Sequence, residues 1–455
     1  MVTYEHTNPE RILELENELK TGNMEAAAKI IRTLHPADQA KLFNDLTTEA
    51  QENLLRVMEI PEIADIFDQL DDRQTLNAAQ NLPLPFLADI LDDMDPDEAA
   101  DLLGDLSGSK VRRTISFMED AEEVLPLLRY PDDTAGGRMT TDFFSLSPDQ
   151  TSEAVIRQLR NTGFETDVPY YLFVVNTDQH LVGVIGLREL VCADPNQQIE
   201  EIMKPQVISI QAMRDQEEAA QMMKHYDLSA LPVVDRLDHL VGVISHDDIL
   251  DVVIDESTED IYRLASVSDA ALEPESAIYQ QMKGRLPWLL LNTLTALMAS
   301  WVISNFGDLF VKVAVLAFFQ SVVAAQGGNA ASQNVAMIVR SLALGKVDMK
   351  KIWPILIRQL LVGIILGLLI GVIVGVGVAL WQGNPPLGFV LGLALLGNML
   401  VASVIGTLTP IVLEIIGQDP AMAGSVLVTA ITDILGFLIF LSLASLFLPM
   451  IESYL

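Results

Sequence analysis

The spacing of hydrophobic residues changes twice along the chain, dividing it into three regions. From residue 9 to about 130, apolar residues recur at helical spacing in short stretches that restart at prolines. The copies are PADQAKLFNDL (Pro36–Leu46), PEIADIFDQL (Pro61–Leu70), PFLADILDDM (Pro85–Met94) and PDEAADLLGDL (Pro96–Leu106). Proline is tolerated at the first helical position because the N–H there has no intrahelical partner. The spacing therefore predicts short amphipathic helices stacked as a solenoid-like superhelix. From about 138 to 254 the pattern shortens and then repeats: YYLFVVNTDQHLVGVIGLRELV (Tyr170–Val191) matches SALPVVDRLDHLVGVISHDDIL (Ser229–Leu250), and MTTDFFSLSP (Met139–Pro148) echoes MKPQVISIQA (Met203–Ala212). Each copy predicts a strand, a helix, two strands joined by a polar hairpin, and a closing helix. Beyond residue 285 polar positions thin out into five apolar runs, roughly 286–306, 312–339, 354–381, 386–413 and 421–449. Each is long enough to cross a hydrocarbon layer of about 30 Å as a helix.

The expected organisation is multidomain. An all-α superhelical domain (1–132) precedes an α/β tandem repeat (133–254, copies at about 138–200 and 201–254). A connecting helical segment (255–284) leads to a five-helix transmembrane domain (285–455). A break is expected at Glu273-Pro274.

Charge separates these parts more sharply than length does. Residues 1–285 hold 22 of the 28 Lys+Arg and 56 of the 62 Asp+Glu, and so carry the whole net charge of −34; the membrane half is neutral. So negative a surface repels nucleic acid and attracts cations. The single cysteine, Cys192, excludes an internal disulfide and fits a reducing compartment. The first twenty residues lack a signal-type apolar core. Lys283 and Arg285 precede the first span, and Arg340, Lys346, Lys350, Lys351 and Arg358 lie between or beside the second and third. The positive-inside rule then places the N-terminus in the cytoplasm and, after five crossings of the cell membrane, the C-terminus outside.

Within the last apolar run stands one acid, Asp433. A carboxylate at membrane depth costs roughly 2.5–3.5 kcal/mol on insertion scales, so it belongs where it meets water, an ion or a partner. Ala421, Ser425, Thr429 and Asp433 recur every four residues, a small polar helix face that suits the wall of a cation path or a hydrogen-bonded helix contact. The second span is interrupted by Gln326-Gly327-Gly328-Asn329, where an irregular backbone with exposed carbonyls is expected. Gly363, Gly367, Gly371 and Gly375 form a close-approach face on the third span, and Asn398 on the fourth predicts an interhelical hydrogen bond. In the acidic half, Asp97 and Asp101 share a helix face. No Ser/His/Asp set, Cys/His metal spacing or phosphate loop is present, which argues against an enzyme.

The duplicated segment resembles a tandem pair of CBS domains. Such pairs enclose a cleft that in many members holds an adenine nucleotide such as ATP. The resemblance implies ribose contact for Asp247 and phosphate contact for Arg188. Taken over nearly its full length, the chain resembles the MgtE family of magnesium channels, on the motifs STEDI (Ser257–Ile261), GGNxxxQ (Gly327–Gln333) and DPAxxxxxLVxxxxD (Asp419–Asp433). The resemblance implies a homodimer in lipid with a Mg²⁺ pore lined by the second and fifth spans: Asp433 with Gly327, Gly328, Asn329, Ser425 and Thr429. It also implies regulatory Mg²⁺ ligands at Asp97 and Asp101, at Asp215, Glu217, Asp227, Asp248 and Asp251, and at Glu256, Glu259 and Asp260 of a connecting "plug" helix. The sequence departs from the family pattern at Ala331 (usually Gly), Ser425 (Asn nearby) and Ser321 (Pro nearby). Two alternatives share the architecture: transport of another divalent ion such as Co²⁺ or Mn²⁺, and a membrane-anchored Mg²⁺ or nucleotide sensor that does not conduct.

Overall fold

The computed structural model describes residue 18 and residues 23–162, 170–268, 272, 276–347, 352–423 and 425–454. The helical pattern expected at 9–17, the break at Glu273-Pro274 and the lysines at 350 and 351 lie outside the described residues. The chain divides into two compact units, Met1–Val252 and Val253–Leu455.

Among the described residues the first unit opens with nine helices: α1 (Met24–Ile31), α2 (Pro36–Asn44), α3 (Thr48–Leu55), α4 (Ile60–Phe67), α5 (Asp72–Ala79), α6 (Leu84–Asp93), α7 (Pro96–Asp105), α8 (Gly108–Ile115) and α9 (Ala121–Val124). Proline stands at the first position of α2 and α7, and at the second of α4 and α6. Caps fix the starts of others: Thr47 accepts from the Ala50 N–H, and Asp71 from the Gln74 N–H at 2.9 Å. Each helix packs on the next but one, α2 on α4 on α6 on α8 and α1 on α3 on α5 on α7. That arrangement is the superhelix the repeats predict. Phe43, Ile63, Phe67, Leu87, Ile90 and Leu91 form its buried spine.

The repeated α/β segment gives β1 (Ser145–Leu146), α10 (Ser152–Thr162), β2 (Tyr171–Val175), β3 (Leu181–Gly186), α11 (Leu187–Cys192), α12 (Ile199–Ile202), β4 (Ile210–Gln211), α13 (Gln216–Tyr226), β5 (Ala230–Val234), β6 (Leu240–Ser245) and α14 (His246–Leu264). The two sheets, β1-β2-β3 and β4-β5-β6, have the same topology, a parallel pair followed by an antiparallel one. Both carry a register irregularity at the matching step, Val174/Val175 and Val233/Val234. The copies exchange backbone hydrogen bonds: Thr140 with Val243, and Lys204 with Val184. Their equivalent histidines, His180 and His239, meet with ring centroids 4.7 Å apart.

In the second unit α15 (Ile278–Ser304), a short α16 (Gly307–Lys312), α17 (Leu316–Ala343), α18 (Ile352–Gln382), α19 (Pro385–Ile415), α20 (Ser425–Leu446) and α21 (Leu448–Glu452) follow the end of α14. Among the described residues, four of the long helices are long and apolar enough to cross a membrane. The fifth, α17, has 28 residues, and its polar middle lowers its hydropathy. The protein is a multi-pass membrane protein. Small residues set how its helices approach. A Cβ on Gly371 would stand 2.6 Å from the Gly392 carbonyl oxygen, and one on Gly375 2.7 Å from that of Gly388, so α18 and α19 touch backbone to backbone. Asn384 caps α19 at Leu387 N–H and donates 2.9 Å to the Ile451 carbonyl, tying the loop before α19 to α21. One expectation fails. The backbone does not break at Gln326–Asn329, because α17 runs unbroken through it and its carbonyls enter the helical ladder. The glycines act through their missing side chains instead.

Candidate metal centre

Asp433 lies on α20, which packs against α15, α17 and α19. The residue is half-buried, and its Oδ1 is buried without a hydrogen-bond partner. An unsatisfied carboxylate oxygen at this depth is costly unless a cation or water completes it. A side-chain lock to a neighbouring helix, the competing role for this acid, is therefore unfilled at Oδ1. One turn earlier on the same face is Thr429, whose Cγ2 would lie 3.2 Å from a Cβ on Gly328. Gly328 thus lets α17 approach α20 beside the acid. Thr432 is buried and donates back to the Thr429 carbonyl at 2.9 Å, so its hydroxyl is consumed within its own helix.

Gly327 does not bend the backbone as the sequence pattern suggested; it makes room for a side chain. A Cβ there would overlap Asn398, and one on Gly436 would come within 2.7 Å of the same Asn398 side chain. Asn398 is wholly buried and donates 2.7 Å to the Val323 carbonyl, the interhelical bond expected of it. Gly327 and Gly436 are thus the two walls of a slot for one amide, which pins α17, α19 and α20 together. Asn329 is exposed on α17. Ala331 is fully buried, its carbonyl oxygen 2.6 Å from where a Gly406 Cβ would stand. The Ser425 side chain lies outside the described residues.

At the end of α14, Arg263 pairs with Glu259 one turn back and with Asp419 in the turn before α20. Asp260 is held above the usual carboxylate range by burial; Arg263 opposes the rise and Glu259 adds to it. Asp419 also accepts from the Ala421 N–H at 2.6 Å, opening the 3₁₀ turn Pro420–Ala423. Leu264 packs against the buried cluster of Ala331, Val335, Val339, Ala402, Ala421 and Val428. Glu256 lies on the same helix.

The first unit concentrates acids that sequence spacing only partly revealed. Burial pushes Glu98 up to about 9, with Asp97, Asp101, Asp72 and Asp68 all adding repulsion. Asp101 is raised to about 7 by burial, against the pull of Arg138 at 3.7 Å. Asp95 is raised by burial and then by Asp65 and Asp247; Asp248 is raised by burial, and by Asp247 and Asp95, against its hydrogen bonds to Ser245. Sequence reasoning missed Asp95, Glu98 and Asp72. The Asp-Pro-Asp-Glu run was visible, but only folding brings Asp72 and Asp247 towards it.

Several predicted ligands have structural duties. Asp215 caps α13 by accepting 2.8 Å from the Glu217 N–H, and Asp227 ends that helix with φ of +54°. Asp248 and Ser245 cap α14 reciprocally. Asp251, Asp247 and Arg188 are exposed; Arg188 lies 3.9 Å from Glu189. Among the described residues no three His, Cys, Asp or Glu side chains converge as a ready-made metal cage. For Mg²⁺, which keeps most of its water and takes one or two carboxylates, this donor set is a fit; for a tightly caged ion it is not.

Comparison with known proteins agrees with each part. Residues 320–443 match a family model described as a divalent cation transporter, 34–133 the MgtE intracellular N domain, and 135–195 and 199–255 CBS domains. The magnesium transporter MgtE of Enterococcus faecalis is 36% identical over 330 residues, 72% of each chain. That of Thermus thermophilus is 35% identical over 327 residues, again 72% of each. Among solved structures, the soluble part of a magnesium transporter is 35% identical with a TM-score of 0.51, covering 55% of this chain and 98% of that one. The cytosolic domain of the Mg²⁺ channel MgtE in complex with ATP is 32% identical with a TM-score of 0.50, covering 53% of this chain and 99% of that one. The agreement extends from the helical repeats through the duplicated module to the last span, and the chain belongs to the MgtE family.

Proposed function

We propose that the protein is a Mg²⁺ channel that admits Mg²⁺ down its electrochemical gradient and closes when cytosolic Mg²⁺ is high. The observation that carries the reading is Asp433, whose buried Oδ1 has no protein partner on a helix packed among three others. Mg²⁺ is held through retained water, so one carboxylate per subunit of a homodimer, with Thr429 beside it, suffices for a transit site. Cytosolic Mg²⁺ would neutralise the acids around Glu98 and those at the end of α14. Two unit charges 4 Å apart repel by about 4 kcal/mol at an effective dielectric of 20. A few such pairs supply the roughly 5.5 kcal/mol that inverts a two-state population. The N-terminal unit would lie in the cytoplasm, in keeping with its charge, and its CBS pair would take an adenine nucleotide, as the related cytosolic domain bound to ATP suggests.

Flux of Mg²⁺ into vesicles carrying the full chain tests the pore. Asp433→Ala should abolish it, and undiminished flux would remove the assignment. Competition by Co²⁺ and Mn²⁺ in the same assay decides whether Mg²⁺ is the preferred ion. Neutralising Glu259 and Asp260 together should leave the channel open at high internal Mg²⁺; normal closure would count against the plug role of α14.

A further inference from the structure

We infer that Arg263 is a positioning residue that couples α14 to the fifth span in the absence of metal ions. The inference rests on the gating reading above and adds to it a protein-borne cation. Arg263 sits at the last turn of α14 and spans two elements far apart in sequence, with one guanidinium nitrogen on Glu259 and another on Asp419. Its charge also acts on Asp260. The planar fork of arginine suits such a bridge, since it presents several donors in fixed directions and stays charged at any physiological pH.

The partner on the membrane side matters most. Asp419 does not end in a loose loop: its other oxygen accepts from the Ala421 N–H, so the same carboxylate that meets Arg263 also shapes the turn Pro420–Ala423. That turn leads into α20, which carries Thr429 and Asp433. Next to Arg263, Leu264 packs against the core cluster to which Ala421 and Val428 of the same stretch belong. A displacement of α14 must therefore either break the Arg263–Asp419 pair or move the start of α20. Glu259 and Asp419 both pair with this one arginine, whose charge also reaches Asp260. Arg263 thus holds the two elements in register through the protein's own charges.

Hydrogen–deuterium exchange on the full chain in lipid nanodiscs without divalent ions provides the test, because it is independent of flux. R263Q should exchange about tenfold faster than the parent both in 255–264 and in the turn at 419–423, since both lose the same tether. R263K keeps the charge without the fork and should recover part of the protection in both segments. Exchange in R263Q equal to the parent's overturns the inference, as does faster exchange in α14 with the 419–423 turn unaltered. Failure of the pore reading would appear separately, as Mg²⁺ flux that survives Asp433→Ala.

Discussion

Asp433 stands without another acid on α20, among hydroxyl, small and apolar residues, whereas Glu98 shares α7 with Asp97 and Asp101 and is repelled by Asp68 and Asp72. Both carboxyls are kept from full solvation, yet burial does different things in the two places. A solitary acid in a membrane helix is costly only through lost hydration, and one passing hydrated ion relieves that cost. An acid in a crowd bears repulsion as well, so each added charge raises the cost of the next. The first arrangement suits transit, since nothing holds the ion beyond its own binding. The second suits sensing, since the energy of the site is spread over the fold of a domain and changes as charge is neutralised.

The sharpest way to break that contrast is to remove charge at each place without changing shape. Asp433→Asn should lower Mg²⁺ flux at least a hundredfold, which corresponds to about 2.7 kcal/mol, while leaving thermal unfolding of the first unit unchanged. Glu98→Gln should do the reverse, leaving flux through an open channel intact and raising the unfolding temperature. If both variants altered flux equally, the two acids would not serve different ends.

The crowd also has a pH signature. Glu98 rises from 4.5 to about 9, and Asp101 from 3.8 to about 7. Folded-state values above the unfolded ones mean that the folded protein holds more protons between those limits, so stability falls as pH rises. Each extra bound proton contributes a slope of about 1.4 kcal/mol per pH unit. Without Mg²⁺, the first unit of the full chain should melt at progressively lower temperature from pH 5 to pH 9, steepest between 5 and 7 where both groups contribute. Glu98→Gln should flatten the upper part of that profile. A melting temperature that rises over this range would contradict the crowding described here.

How much of this was readable beforehand differs between the same two regions. Asp433 stood out in the sequence because a single acid in a long apolar run has few explanations. The proline-led repeats and the duplicated VGVI cores also survive into helices and strands, because local spacing and turn chemistry determine them. Gly327 was visible but its backbone was misread: two glycines beside a polar run suggest a bend, and only the fold shows Asn398 filling the space that Gly327 leaves. That Asp72 and Asp247 come close to the run at Asp95–Glu98 gave no signal, since it depends on how successive helices and the CBS pair fold against one another. Arg263 was equally silent, because its partner Asp419 is more than 150 residues away. Contacts of that kind are tertiary facts, and spacing along one element cannot announce them.

The slot that holds Asn398 tests the membrane side at a smaller scale. Gly436→Ala places a methyl within 3 Å of the Asn398 amide, with α17 on its other side. Overfilling a packed site costs typically 1–3 kcal/mol, so the detergent-solubilised protein should melt several degrees lower. Gly377→Ala, with open space where its Cβ would stand, should change nothing measurable. Equal effects at the two glycines would mean that lost helix flexibility, and not the slot, is what alanine perturbs.

The smallest expected effect separates structure from sensing inside the crowded half. Asp215 caps α13 through the Glu217 N–H, and it is also a proposed Mg²⁺ ligand. Alanine at an N-cap costs about 1 kcal/mol, whereas asparagine caps about as well as aspartate. Asp215→Ala should therefore lower stability by about 1 kcal/mol in the absence of Mg²⁺, and Asp215→Asn by much less. Added Mg²⁺ changes the question: if the carboxylate binds the ion, both variants should lose part of the protection that Mg²⁺ gives against proteolysis. If Asp215→Asn keeps the parent's full Mg²⁺ response, the residue is a cap and nothing more, and the sensing charge is carried by the acids around Glu98 and at the end of α14.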